Sequence, residues 1–125
     1  MNRLLNQTWM KEDSTTLASF GYTLGPTGNR TVLSENINGT PPRTYNWAYD
    51  YLYRITGETF GGPSYPSPQP VITYGFDAVG NRTSRTSTVS GINSQPTSFT
   101  PNDWLVSDAY DNNGNTTGSA AITYQ

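Results

Sequence analysis

One phrase recurs along this 125-residue chain, and no other feature limits its fold as tightly. It reads aromatic, Asp, two variable residues, Gly, then Asn, Arg and Thr. The fullest copy is Phe76-Asp77-Ala78-Val79-Gly80-Asn81-Arg82-Thr83, and Tyr110-Asp111-Asn112-Asn113-Gly114-Asn115-Thr116-Thr117 is close to it. Gly28-Asn29-Arg30-Thr31 keeps the second half, while Tyr49-Asp50 keeps the first and has Tyr53 where Gly is expected. Phe99 to Val106 is a worn copy, and Asn2-Arg3-Leu4-Leu5 is the tail of another. Aligned on the Gly position, the copies fall at 2, 28, 53, 80, 103 and 114, at intervals of 26, 25, 27, 23 and 11. The first four intervals are those of repeat architectures, and the last marks a shortened unit.

The phrase has the chemistry of a tight hairpin. Asp at the first position of a type I turn can accept backbone N–H groups two or three residues on. Gly at the fourth tolerates positive φ and closes the turn with a bulge. The aromatic before Asp and the Arg or Thr after Gly then lie on paired strands. Segments upstream of the turns alternate as strands do, at Phe20, Tyr22, Leu24, at Tyr45, Trp47, Tyr49 and at Ile72, Tyr74, Phe76. Asn81 to Thr88 is polar on both faces and does not suit the space between two dry layers.

Composition supports strands and thins the core. Thr, Ser, Asn, Gly and Pro make up 64 of the 125 residues, whereas Leu, Ile, Val and Phe together number 21. Tyr (9) and Trp (3) supply the missing apolar area. One Lys, three Glu and no long stretch of period 3.6 argue against helix. The expected fold is therefore all-β: repetitive antiparallel strand–turn–strand units in one curved sheet.

The same composition excludes several functions. A net charge of −2, with 13% charged residues, offers no basic surface for nucleic acid. His and Cys are both absent, so disulfides, thiol or imidazole catalysis and the usual transition-metal sites have no ligands, and no cofactor is expected. No apolar run is long enough to span a membrane, and the first ten residues lack the apolar stretch of a signal peptide.

The chain reads as a single array, 1–125, of about five to six degenerate units, interrupted by a Gly/Pro-rich insertion at 57–70. Both ends look cut. Ile122-Thr123-Tyr124-Gln125 repeats Ile72-Thr73-Tyr74-Gly75, which runs directly into Phe76-Asp77. Terminal strands at Arg3-Leu4-Leu5 and Ile122-Thr123-Tyr124 would then keep unpaired edges, and self-association through them is expected.

Taken together, these phrases resemble the YD repeat of rearrangement-hotspot (Rhs) proteins, shared by the shell component of insecticidal toxin complexes and by teneurins. Tyr49-Asp50, Phe76-Asp77 and Tyr110-Asp111 match the name-giving pair. Gly28-Asn29-Arg30 and Gly80-Asn81-Arg82, with Gly114, match the second half. The resemblance implies a non-enzymatic segment of a hollow β-shell that encloses a toxin or effector, within a larger secreted or cell-surface protein. The family's aspartyl self-cleavage segment has no counterpart in this sequence, so the resemblance carries over no catalytic residue.

Other chemistry is weaker. Asp50, Asp77 and Asp111 should line one rim as turn caps, a reading favoured over a row of cation- or sugar-binding acids. Asp111-Asn112-Asn113-Gly114-Asn115 misses the spacing of a calcium loop. Asn-x-Thr triplets at Asn6, Asn29, Asn38, Asn81 and Asn115 match glycosylation acceptors, yet three are the repeat's own phrase. The aromatics Tyr45, Trp47 and Tyr51 give the alternative function, a carbohydrate- or partner-binding module in which they stack on sugar rings. The competing reading packs them against neighbouring units.

Overall fold

A computed structural model describes residues 3–119 together with the backbone of 122 and 123. Eight strands follow one another as antiparallel neighbours: β1 (Asn6–Met10), β2 (Thr16–Leu24), β3 (Arg30–Ile37), β4 (Arg43–Tyr49), β5 (Ile55–Gly61), β6 (Val71–Phe76), β7 (Arg82–Ser87) and β8 (Gln95–Pro96). The sheet is a meander that does not close into a barrel, and no helix occurs among the described residues. None of those residues therefore forms a helix long and apolar enough to cross a membrane. The all-β, repetitive antiparallel architecture expected from the phrase is the one observed.

Register explains the alternation. Tyr22 faces Leu33, Leu33 faces Tyr45, and Tyr45 faces Phe60, while Trp47 faces Glu58 and Glu58 faces Ile72. Side chains opposite one another share a face, so these rows place the aromatic and aliphatic residues on one side. The other side carries Ser19, Gly21, Ser34, Thr44, Thr59 and Thr73. Aromatic contacts join the first side: Trp9 meets Phe20 edge-on at 5.9 Å, and Tyr45 meets Phe60 at 5.8 Å. Burial is slight all the same. Among the described residues only Ala18 (6% exposed), Ile72 (4%), Gly61 and Pro70 are buried, as expected of a single layer.

Two expectations need correction. The insertion at 57–70 is too long, because residues 57–61 belong to β5 and pair with Thr44 to Ala48. Alternation of Thr59 and Phe60 suits a strand, and the Gly/Pro-rich connection is confined to 62–70. Nor do all units share one sheet. β9 (Ala109–Tyr110), β10 (Thr116–Ser119) and β11 (Ile122–Thr123) form a separate three-stranded sheet in the order β11-β10-β9. The large sheet ends with β8, an edge strand, where Pro96 with no N–H to donate is tolerated. Ile122 and Thr123 pair with Ser119 and Gly118 as the outer strand of this second sheet, and Tyr124 lies outside the described residues.

Candidate functional site

The repeated turns form the site that the sequence singles out. In the best copy the Gly80 N–H donates to the Asp77 carbonyl (3.3 Å) and the Asp77 N–H donates to the Asn81 carbonyl (3.0 Å). The same two bonds recur at Gly25/Gly28/Asn29, Asp50/Tyr53/Arg54, Thr100/Asp103/Trp104 and Asp111/Gly114/Asn115. Every residue at the aligned Gly position of these turns has positive φ: Gly28 (90°), Tyr53 (61°), Gly80 (105°), Asp103 (61°) and Gly114 (84°). Register slips by one residue beside Leu24, Tyr49 and Phe76, the bulge that follows a type I turn in such hairpins. Tyr53 and Asp103 thus hold the turn despite the strain that a side chain meets there.

Asp caps these turns from within. The Asp77 Oδ1 accepts the N–H groups of Val79, Gly80 and Asn81, and Oδ2 accepts the Asn81 side-chain amide at 3.0 Å. Asp111 repeats this with Asn113 and Asn115, and Asp50 with Leu52 and Arg54. In the last case Oδ2 takes the Arg54 Nε–H at 2.6 Å. All three carboxyls titrate below the ordinary range. At Asp111 the main cause is the Asn115 side chain. At Asp50 and Asp77 partial desolvation pushes upward and is outweighed by donors from Arg54 and Asn81. Carboxylates engaged this way have few lone pairs left for a cation or a sugar.

The remaining positions of the phrase join one turn to the next. Because consecutive hairpins alternate ends, turns 25–29, 50–54 and 77–81 lie along one rim, each two strands from the last. In four copies the residue after the Gly position reaches forward. Arg3 donates to the Thr27 carbonyl (3.3 Å) and lies over Gly28. Arg54 donates to the Asp77 carbonyl (3.3 Å) and stacks over Phe76 at 4.6 Å. Asn81 donates to the Asp103 carboxylate (2.9 Å), and the Trp104 ring covers Gly114. The aromatic reaches back: the Tyr49 hydroxyl donates to the Arg30 carbonyl (2.6 Å), and the Tyr110 oxygen accepts the Leu105 N–H (3.0 Å). Arg30 and Arg82, one place further on, lie over the rings of Tyr22 (4.5 Å) and Tyr74 (5.6 Å).

The aromatic candidates divide. Tyr45 and Trp47 lie with rings near-parallel, 14° apart and 6.4 Å between centroids, on the aromatic face. Tyr51 is in the 50–54 turn, 85% exposed, away from that pair. Two features escape the sequence phrase. Lys11 to Thr15 closes the first hairpin with the same bonds, with Ser14 at φ 64°, although Lys11 and Ser14 stand where the phrase has Asp and Gly. Glu58 is the other: it accepts the Tyr74 hydroxyl (2.6 Å) and the Trp47 indole N–H (3.2 Å). Burial raises the Tyr74 phenol, and the bond to Glu58 raises it further. The available signal was the place of Glu58 two residues before Phe60, on the same face of the strand as that ring.

Fold and site together define an open, single-layer antiparallel repeat sheet with linked turns, three of them capped by Asp. Compared with known protein families and with curated proteins, the chain matches none.

Proposed function

We propose that this chain is a non-enzymatic structural segment of a YD-repeat β-shell, whose work in a larger secreted or cell-surface protein is to enclose a toxin or effector. One observation carries the reading. The same turn recurs along a rim, and side chains at recurring positions of the phrase bond a neighbouring turn. That arrangement extends a wall unit by unit without needing a dry core between two layers. Electron microscopy of the protein as its gene encodes it should reveal a hollow particle with density inside. A solid rod or compact globule would overturn the proposal. Pairing of copies through the outer edge of β1 is part of the same reading, checked by light scattering across a concentration series.

A second reading rests on the near-parallel Tyr45 and Trp47 rings, which form a platform able to stack on a sugar. Saturable glycan binding that is lost in Trp47→Ala would support it. Tyr51 contributes nothing to that platform.

A further inference from the structure

A cleft lies on the aromatic face, between β5–β7 and the segment that follows β8. It is open to solvent and has a volume of about 570 Å³, within the range of small-molecule sites. Its walls include the apolar side chains of Ile55, Phe76, Phe99 and Leu105, with Glu58 and Arg82 as the charged groups. The two charges differ in what they have free. Both Glu58 oxygens already hold a donor, from Tyr74 and Trp47. The Arg82 guanidinium rests over the Tyr74 ring and has no carboxylate or carbonyl acceptor among the described residues. Arg3, Arg43, Arg54 and Arg85 each have such an acceptor. Arg30 also rests on a ring, but it borders a smaller hollow of about 250 Å³.

From this we infer that the cleft binds a small amphipathic carboxylate, an aromatic or branched aliphatic acid. Its carboxylate lies on the Arg82 guanidinium and its apolar body against Phe76, Phe99, Ile55 and Leu105. A guanidinium matches a carboxylate in two parallel bonds, which a neutral amide cannot reproduce. Glu58 turns away acids whose charge would fall on its side and leaves the Arg82 side open, so the cleft also selects orientation. The inference is independent of the shell proposal, since a cleft of this kind would bind its acid whether or not the sheet belongs to a wall.

The test is an NMR titration of the intact chain with 3-phenylpropionate and with its neutral isostere 3-phenylpropanamide. The acid should bind saturably, shift the Arg82 Nε–H signal, and exceed the amide by at least about tenfold, the factor expected for a charge-assisted hydrogen bond. Arg82→Gln should bring the acid down to the level of the amide and leave amide binding unchanged. Circular dichroism of that variant should keep the strand signature, because the exposed Arg82 side chain makes no hydrogen bond in the sheet and only overlies the Tyr74 ring. Equal affinity for acid and amide, or an Arg82→Gln variant that binds the acid as before, overturns the assignment. Tighter binding of a short peptide ending in a free Phe carboxylate than of the small acid would also overturn it, in favour of a chain terminus.

Discussion

Alanine placed at four glycines separates backbone strain from collision. Gly39, in the β3–β4 turn, has φ 81° and nothing within 4 Å of where an added methyl would sit, so Gly39→Ala meets strain alone. Left-handed backbone costs an L-residue about 1–2 kcal/mol, and a stiffer unfolded chain returns about 0.4–1 kcal/mol. A net loss of about 1 kcal/mol is expected. Gly80→Ala should match it, since φ is 105° and the nearest atom, the Arg54 Nη1, is at an ordinary 3.9 Å. Gly114→Ala adds a methyl 2.9 Å from the Trp104 ring, which stacks on Tyr110 at 4.8 Å. Disturbing that stack adds about 0.5–1.5 kcal/mol. Gly62→Ala should be worst, because at φ 130° the new methyl meets the Pro42 carbonyl, which is backbone and cannot swing aside. Amide hydrogen exchange, read hairpin by hairpin, is the suitable assay, since repeat arrays open locally. Equal protection in Gly80→Ala and the parent, or a Gly39→Ala loss as large as that of Gly62→Ala, would refute the reasoning.

Other outcomes follow from the same structure. Asp50, Asp77 and Asp111 titrate lower in the fold than unfolded. Their stabilisation is therefore complete above the unfolded carboxylate range, near about pH 3.9, and is lost as pH falls through the lower folded values. Thermal melts should be flat from neutral pH down to that range and fall below it; a rise on acidification would contradict the capping assignment. Ile72→Ala should cost about 2–5 kcal/mol by denaturant melt, whereas Val79→Ala, at a position 71% exposed, should stay within about 0.5 kcal/mol. Tyr49→Phe removes the donor to the Arg30 carbonyl and should cost about 0.5–1.5 kcal/mol, with faster exchange confined to the adjoining hairpins.

Much of this architecture is written locally. Asp capping at Asp77 and Asp111, positive φ at Gly80 and Gly114, and alternation through Tyr45, Trp47 and Tyr49 depend on residues a few places apart, so the phrase alone determines them. Periodicity even located the turns at Tyr53 and Asp103, where no glycine marks the bend, because neighbouring bonds impose the geometry. What lies between turns was not legible. That Arg54 belongs with Asp77, Asn81 with Asp103 and Trp104 with Gly114 depends on which hairpin ends share a rim. The partnership of Glu58 with Trp47 and Tyr74 depends on register across three strands. The end of the large sheet at β8, and the cleft walled by Phe99 and Leu105, depend on how the chain turns back over a face. Local sequence sets the dihedrals of a turn within a few residues, whereas contacts between side chains far apart in the chain exist only once the strands have paired.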